Sequence, residues 1–97
     1  MSTTFIATLN VKQGKEQEFE ALQKKLSELT HAHEPGTLVY DVIKSRGKPR
    51  TYVVYARFKD EAAFQSHQAS AFHDELVPPI LACVDGEMDL QMLDWKS

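Results

Sequence analysis

The chain has 97 residues, 11 of them basic and 14 acidic, and a formal net charge of −3. That length holds one domain, and the mild acidity argues against nucleic acid as the main ligand. Cys83 is the single cysteine, which excludes an intramolecular disulfide.

No run approaches the roughly 18 apolar residues of a membrane span, and no charged start precedes an apolar stretch as in a secretory signal. The expected location is therefore the cytoplasm, with no membrane partner. A domain this small buries a thin core. Its apolar content of 42% is nevertheless that of an ordinary globular protein. Some apolar surface is expected to be kept for a partner.

The elements follow in order. Residues 3–12 alternate, with Phe5, Ala7, Leu9 and Val11 on one face and Thr4, Thr8 and Asn10 on the other. This predicts a strand, ended by Gln13-Gly14. Residues 15–33 switch to helical period, with Phe19, Leu22, Leu26 and Leu29 forming the apolar stripe. Glu34-Pro35-Gly36 ends that helix, because proline disfavours helical geometry in the residue before it. Residues 37–44 and 50–58 read as two strands joined by the turn Ser45-Arg46-Gly47-Lys48-Pro49, an antiparallel hairpin. Asp60 is placed to cap a helix over 61–69. A second helical segment covers 71–83 and is expected to be interrupted by Pro78-Pro79. Asp85-Gly86 then turns the chain into a last strand over 87–95.

The order βαββαβ predicts an α+β ferredoxin-like plait with a four-stranded antiparallel sheet, one domain over residues 1–97. The third strand is apolar on both faces, with Tyr52, Val54, Ala56 and Phe58 on one and Val53 and Tyr55 on the other. Helices cover only one face of such a sheet. The second face is expected to pack against its copy in a homodimer, closing a barrel.

His67 is the leading chemical candidate. Phe64, His67 and Ala71 follow i, i+3, i+7, which places the imidazole on a buried stripe where it can act as base, acid or hydrogen-bond partner. A structural histidine bonded to backbone carbonyls is the alternative. His73 lies about 240° around a continuous helix from His67 and shares its face only if the helix breaks at Ala69–Ser70. His31 and His33 are spaced i, i+2 and point to different sides, so no metal site is expected. Cys83 lies in an apolar stretch and is expected to be a buried, inert thiol. Lys44, Arg46, Lys48 and Arg50 cluster at the hairpin and read as a solvated turn. No glycine-rich nucleotide or phosphate motif and no nucleophile elbow is present.

The first strand ending at Lys12-Gln13-Gly14, the Glu34-Pro35-Gly36 turn with Tyr40 four residues on, and the run from Tyr55 to His67 together resemble the antibiotic biosynthesis monooxygenase family. The resemblance covers nearly the whole chain. It implies a dimeric α+β barrel with a pocket between sheet and helices. It also implies a cofactor-free monooxygenase acting on a small aromatic or quinol substrate. His67 would be catalytic, and Tyr40, Phe58, Phe64, Phe72 and His73 would bind substrate. An isomerase or lyase acting on a small phosphorylated molecule, and a non-catalytic binding dimer, are the alternatives on the same fold. Haem-degrading members carry a strand tryptophan where this chain has Phe58. Two family features are also displaced. Ala56 stands where a glutamate is usual, and Phe72 stands where a second histidine is frequent, with His73 one place later.

Overall fold

The computed structural model describes residues 2–96. Its elements are β1 (Thr3–Asn10), α1 (Glu16–His33), β2 (Thr37–Lys44), β3 (Thr51–Phe58), α2 (Glu61–Gln68), α3 (Ala71–Ala82) and β4 (Asp89–Asp94). The strands form one antiparallel sheet in the order β2-β3-β1-β4, with the helices on one face: the ferredoxin-like arrangement.

Register assigns the two faces. Phe5, Ala7 and Leu9 stand opposite Ala56, Val54 and Tyr52 on the helix side. With Phe19 and Leu26 of α1, and Leu76 and Ile80 of α3, they form the core. At β2 the ladder shifts: Thr37 pairs with Phe58 but Val39 pairs with Arg57, leaving Leu38 as an extra residue. Such a bulge changes which side chains share a face. Thr37 and Tyr40, an odd number of residues apart, therefore both stand on the helix side, while Leu38 is 46% exposed.

Three expectations need correction. Helix α3 runs unbroken through Pro78 and Pro79. The carbonyls those prolines leave unpaired belong to Asp74 and Glu75, both exposed residues that water can satisfy, and buried Leu76 and Ile80 hold the turns on either side. The buried stripe of α1 is Phe19, Gln23, Leu26 and Thr30, so Leu22 and Leu29 only flank the core. The last strand is shorter than expected, and all its residues are exposed at the sheet edge.

Asp60 caps α2 as expected, its carboxylate accepting from the Ala63 N–H at 2.8 Å. Helix α2 ends at Gln68, and Ser70 starts α3 by accepting from the His73 N–H. Ala71 therefore leaves the stripe of Phe64 and His67 and is exposed.

Candidate active site

The turn Glu34-Pro35-Gly36 is docked on the start of α2. The Lys59 N–H donates to the Gly36 carbonyl at 2.8 Å. Gly36 approaches α2 so closely that a Cβ added there would lie 2.8 Å from the Cβ of Ala63. This contact brings Glu34 to His67. Glu34 Oε1 lies 2.9 Å from His67 Nδ1 and also accepts from the Thr37 hydroxyl at 2.9 Å. The bulge is what turns Thr37 toward it.

His67 is 2% exposed, and Glu34 Oε2 is buried without a hydrogen bond. A carboxylate at Nδ1 selects the tautomer protonated there and leaves Nε2 as the nitrogen free to take a proton. The arrangement is that of a base held in place by an acid residue.

Aromatic rings confine the imidazole. Its centroid lies 5.5 Å from Tyr40, 5.3 Å from Phe58 and 4.9 Å from His73, the last edge-on. The break at Ser70 is what brings the two histidines together. Burial, followed by the neighbouring His67, lowers the His73 pKa from 6.5, although Asp74 and Glu34 oppose the shift. Burial, and secondarily the Glu34 carboxylate, pushes the Tyr40 phenol well above its usual range. Tyr40 is thus a proton-bearing hydrogen-bond donor rather than a base, and its hydroxyl reaches Gln23 Oε1 at 3.4 Å.

A cavity of about 150 Å³ lies between sheet and helices. Tyr40, Phe64, His67 and His73 line it, together with the carboxamides of Gln23 and Gln68 and an otherwise apolar wall. No lysine, arginine or carboxylate is among the described residues of that lining. Two expected pocket residues stand elsewhere. Phe58 is fully buried behind His67, packed on Phe64 at 5.4 Å, and does not reach the cavity surface. Phe72 lies outside the lining, 6.1 Å from the ring of exposed His33.

His31 is also exposed, and no group of three potential metal ligands occurs among the described residues. Cys83 is fully buried and donates to Glu18 at 3.2 Å. Burial first, and that carboxylate second, raise its pKa, which keeps the thiol protonated.

Two residues of the site were not foreseen. Gln23 is polar and so falls outside an apolar stripe drawn from hydrophobic residues alone, although its spacing from Phe19 and Leu26 places it on the buried face. The sequence around Glu34 signals only the end of a helix. Glu34 supplies, from a turn, the carboxylate that Ala56 does not supply from β3.

A ferredoxin-like sheet, with a buried carboxylate–imidazole pair at the wall of an apolar cavity, defines the class. The family model described as antibiotic biosynthesis monooxygenase matches residues 3–78. The chain belongs to that family. Solved structures agree. A candidate antibiotic biosynthesis monooxygenase from Caulobacter crescentus is 25% identical, with a TM-score of 0.95 over 99% of this chain and 91% of that one. A conserved protein from Methanosarcina mazei is 29% identical, with a TM-score of 0.93 over 99% and 94%. A variant of SnoaB, a cofactor-independent oxygenase from Streptomyces nogalater, is 21% identical, with a TM-score of 0.86 over 99% and 94%, and shares the fold. No curated protein matches the chain. No helix among the described residues is long and apolar enough to cross a membrane.

Proposed function

We propose that this protein is a cofactor-independent monooxygenase acting on a small phenol or hydroquinone, with His67 as the base. The observation that carries the reading is the Glu34–His67 pair at 2.9 Å, set in the wall of an apolar cavity. Nε2 of His67 takes the phenol proton, and the Glu34 carboxylate stabilises the imidazolium that forms. The resulting anion passes one electron to dioxygen. The two radicals join through a new carbon–oxygen bond, giving a peroxide on the ring. The imidazolium returns its proton to the outer oxygen, and loss of that O–H with the hydrogen on the ring carbon, as water, leaves a carbonyl. One oxygen atom enters the product and one leaves in water, so hydroquinone plus dioxygen balances as hydroxyquinone plus water. The apolar wall excludes bulk water while this occurs.

The alternative of a phosphorylated substrate lacks support, because no lysine or arginine among the described residues lines the cavity. The direct test is oxygen uptake by the purified protein over a panel of hydroquinones. Uptake above the uncatalysed rate is expected with at least one of them. No uptake across the panel would remove the oxygenase reading and favour a binding protein.

We also infer a homodimer formed through the outer sheet face. Register puts Ile6, Val39, Ile43, Val53, Tyr55 and Leu93 on that face, and Ile43 is 51% exposed. Trp95 is 46% exposed there and lies over the Arg57 guanidinium at 4.3 Å. Covering this surface with a second copy removes it from water. Sedimentation at micromolar concentration is expected to give twice the chain mass, and Val53→Lys to give the monomer. A monomeric wild type would exclude the barrel.

A further inference from the structure

The cavity at His67 is separated from a second space. An open groove of about 720 Å³ runs between α1 and β2, bordered by Glu20, Lys24 and Lys44. Among the described residues, only Gln23 and Tyr40 border both spaces. Each is 4% exposed. The Tyr40 hydroxyl donates to Gln23 Oε1 at 3.4 Å, beyond the roughly 2.5–3.0 Å of a well-formed O–H···O bond. The two side chains thus form a thin wall, weakly tied across its middle. On the near side the cavity measures about 150 Å³ and is partly open, with exposed Leu81, Met88 and Leu90 in its lining. An apolar cavity of about that volume accommodates a single benzene ring.

We infer that the Gln23–Tyr40 wall limits the ligand to one aromatic ring, and that Gln23 is the specificity-determining residue. The inference rests on the reading of the cavity as an aromatic-substrate site, and it narrows that class to monocyclic phenols and hydroquinones. A fused second ring directed toward α1 meets the Gln23 side chain. Truncating Gln23 joins the cavity to the groove and provides space for that ring. Tyr40 is the fixed half of the wall, since its ring is packed on His67. Gln23 projects from a helix face and is held there by one long hydrogen bond.

The test is ligand binding without oxygen, so that no turnover is required. Calorimetry compares 4-methylphenol, with one ring, and 2-naphthol, with two. The wild type is expected to bind 4-methylphenol at least tenfold more tightly, reversing the order that hydrophobicity alone would give. Gln23→Ala is expected to shift the ratio at least tenfold toward 2-naphthol. Gln23→Leu, which refills the volume, is expected to keep the wild-type preference. If Gln23→Ala does not fold, the wild-type ratio and Gln23→Leu still decide the matter. Equal or tighter binding of 2-naphthol by the wild type, an unchanged ratio in Gln23→Ala, or binding of neither phenol would overturn the inference. Ring-selective binding with no oxygen uptake would remove the oxygenase reading and leave this one standing. Uptake with one-ring and two-ring hydroquinones at equal efficiency would do the reverse.

Discussion

Glu34→Gln is expected to lower the rate of oxygen uptake by about 100-fold or more, in the range that general-base catalysis contributes. The glutamine oxygen can still accept from Nδ1, so the ring keeps its position. What is lost is the negative charge 2.9 Å from the nitrogen of a buried imidazole, where charge is less screened than at the surface. A loss of 100-fold corresponds to about 2.7 kcal/mol of transition-state stabilisation. Glu34 does not line the cavity, so KM is expected to change little. His67→Ala should be at least as slow. The double variant should be no slower than His67→Ala alone, because the carboxylate acts only through the imidazole. A rate for Glu34→Gln within threefold of the wild type would make the pair structural. This experiment also separates Glu34 from a mere anchor of its turn, since Thr37 bonds to the same oxygen and Gln preserves that acceptor.

Gly36→Ala is expected to cost about 2 kcal/mol of stability, within the usual range for overpacking a close contact. For a domain of this size that is a fall in Tm of about 10 °C. The added Cβ would lie 2.8 Å from that of Ala63 and 3.4 Å from Lys59 Cε. The lysine carbon is the end of a flexible chain and can move. The alanine belongs to helix α2, so the turn or the helix must shift. Ala63→Gly removes the opposing atom but weakens the helix by about 1 kcal/mol. The double variant Gly36→Ala with Ala63→Gly should therefore lie above Gly36→Ala and below the wild type in thermal melts at matched protein concentration. A single variant that melts with the wild type would show that the contact relaxes freely. Because the turn carries Glu34 and α2 carries His67, the single variant should also slow turnover, with the paired substitution restoring part of it.

The parts of the fold that could be read along the chain are those governed by neighbours in sequence. The alternation of Phe5, Ala7 and Leu9 predicts β1 and its buried face, and Asp60 predicts the start of α2, because each signal acts within a few residues. Tertiary context decides the rest. Pro78 and Pro79 mark a break by local rules, yet buried Leu76 and Ile80 keep α3 continuous. His73 reaches His67 only through the break at Ser70, an outcome that helix arithmetic leaves open. Phe72 follows the same path and is carried away from the cavity. Glu34 is the clearest case. Nothing within its own segment signals a catalytic partner, since the histidine it holds lies 33 residues on and meets it only when the turn docks on α2. Ala56 stands where the family usually has a glutamate. The same charge arrives from a different element.

The extra residue at Leu38 gives β2 a counting offset relative to β3. Upstream of it, residues are indexed to the turn that holds Glu34. Downstream, they are indexed to the sheet that holds Tyr40. Removing Leu38 would leave Thr37 and Val39 on consecutive rungs, a regular ladder in which Thr37 and Tyr40 keep their partners on β3 and their faces. The bulge is thus a point where β2 tolerates a change in length while Tyr40 stays at the cavity wall.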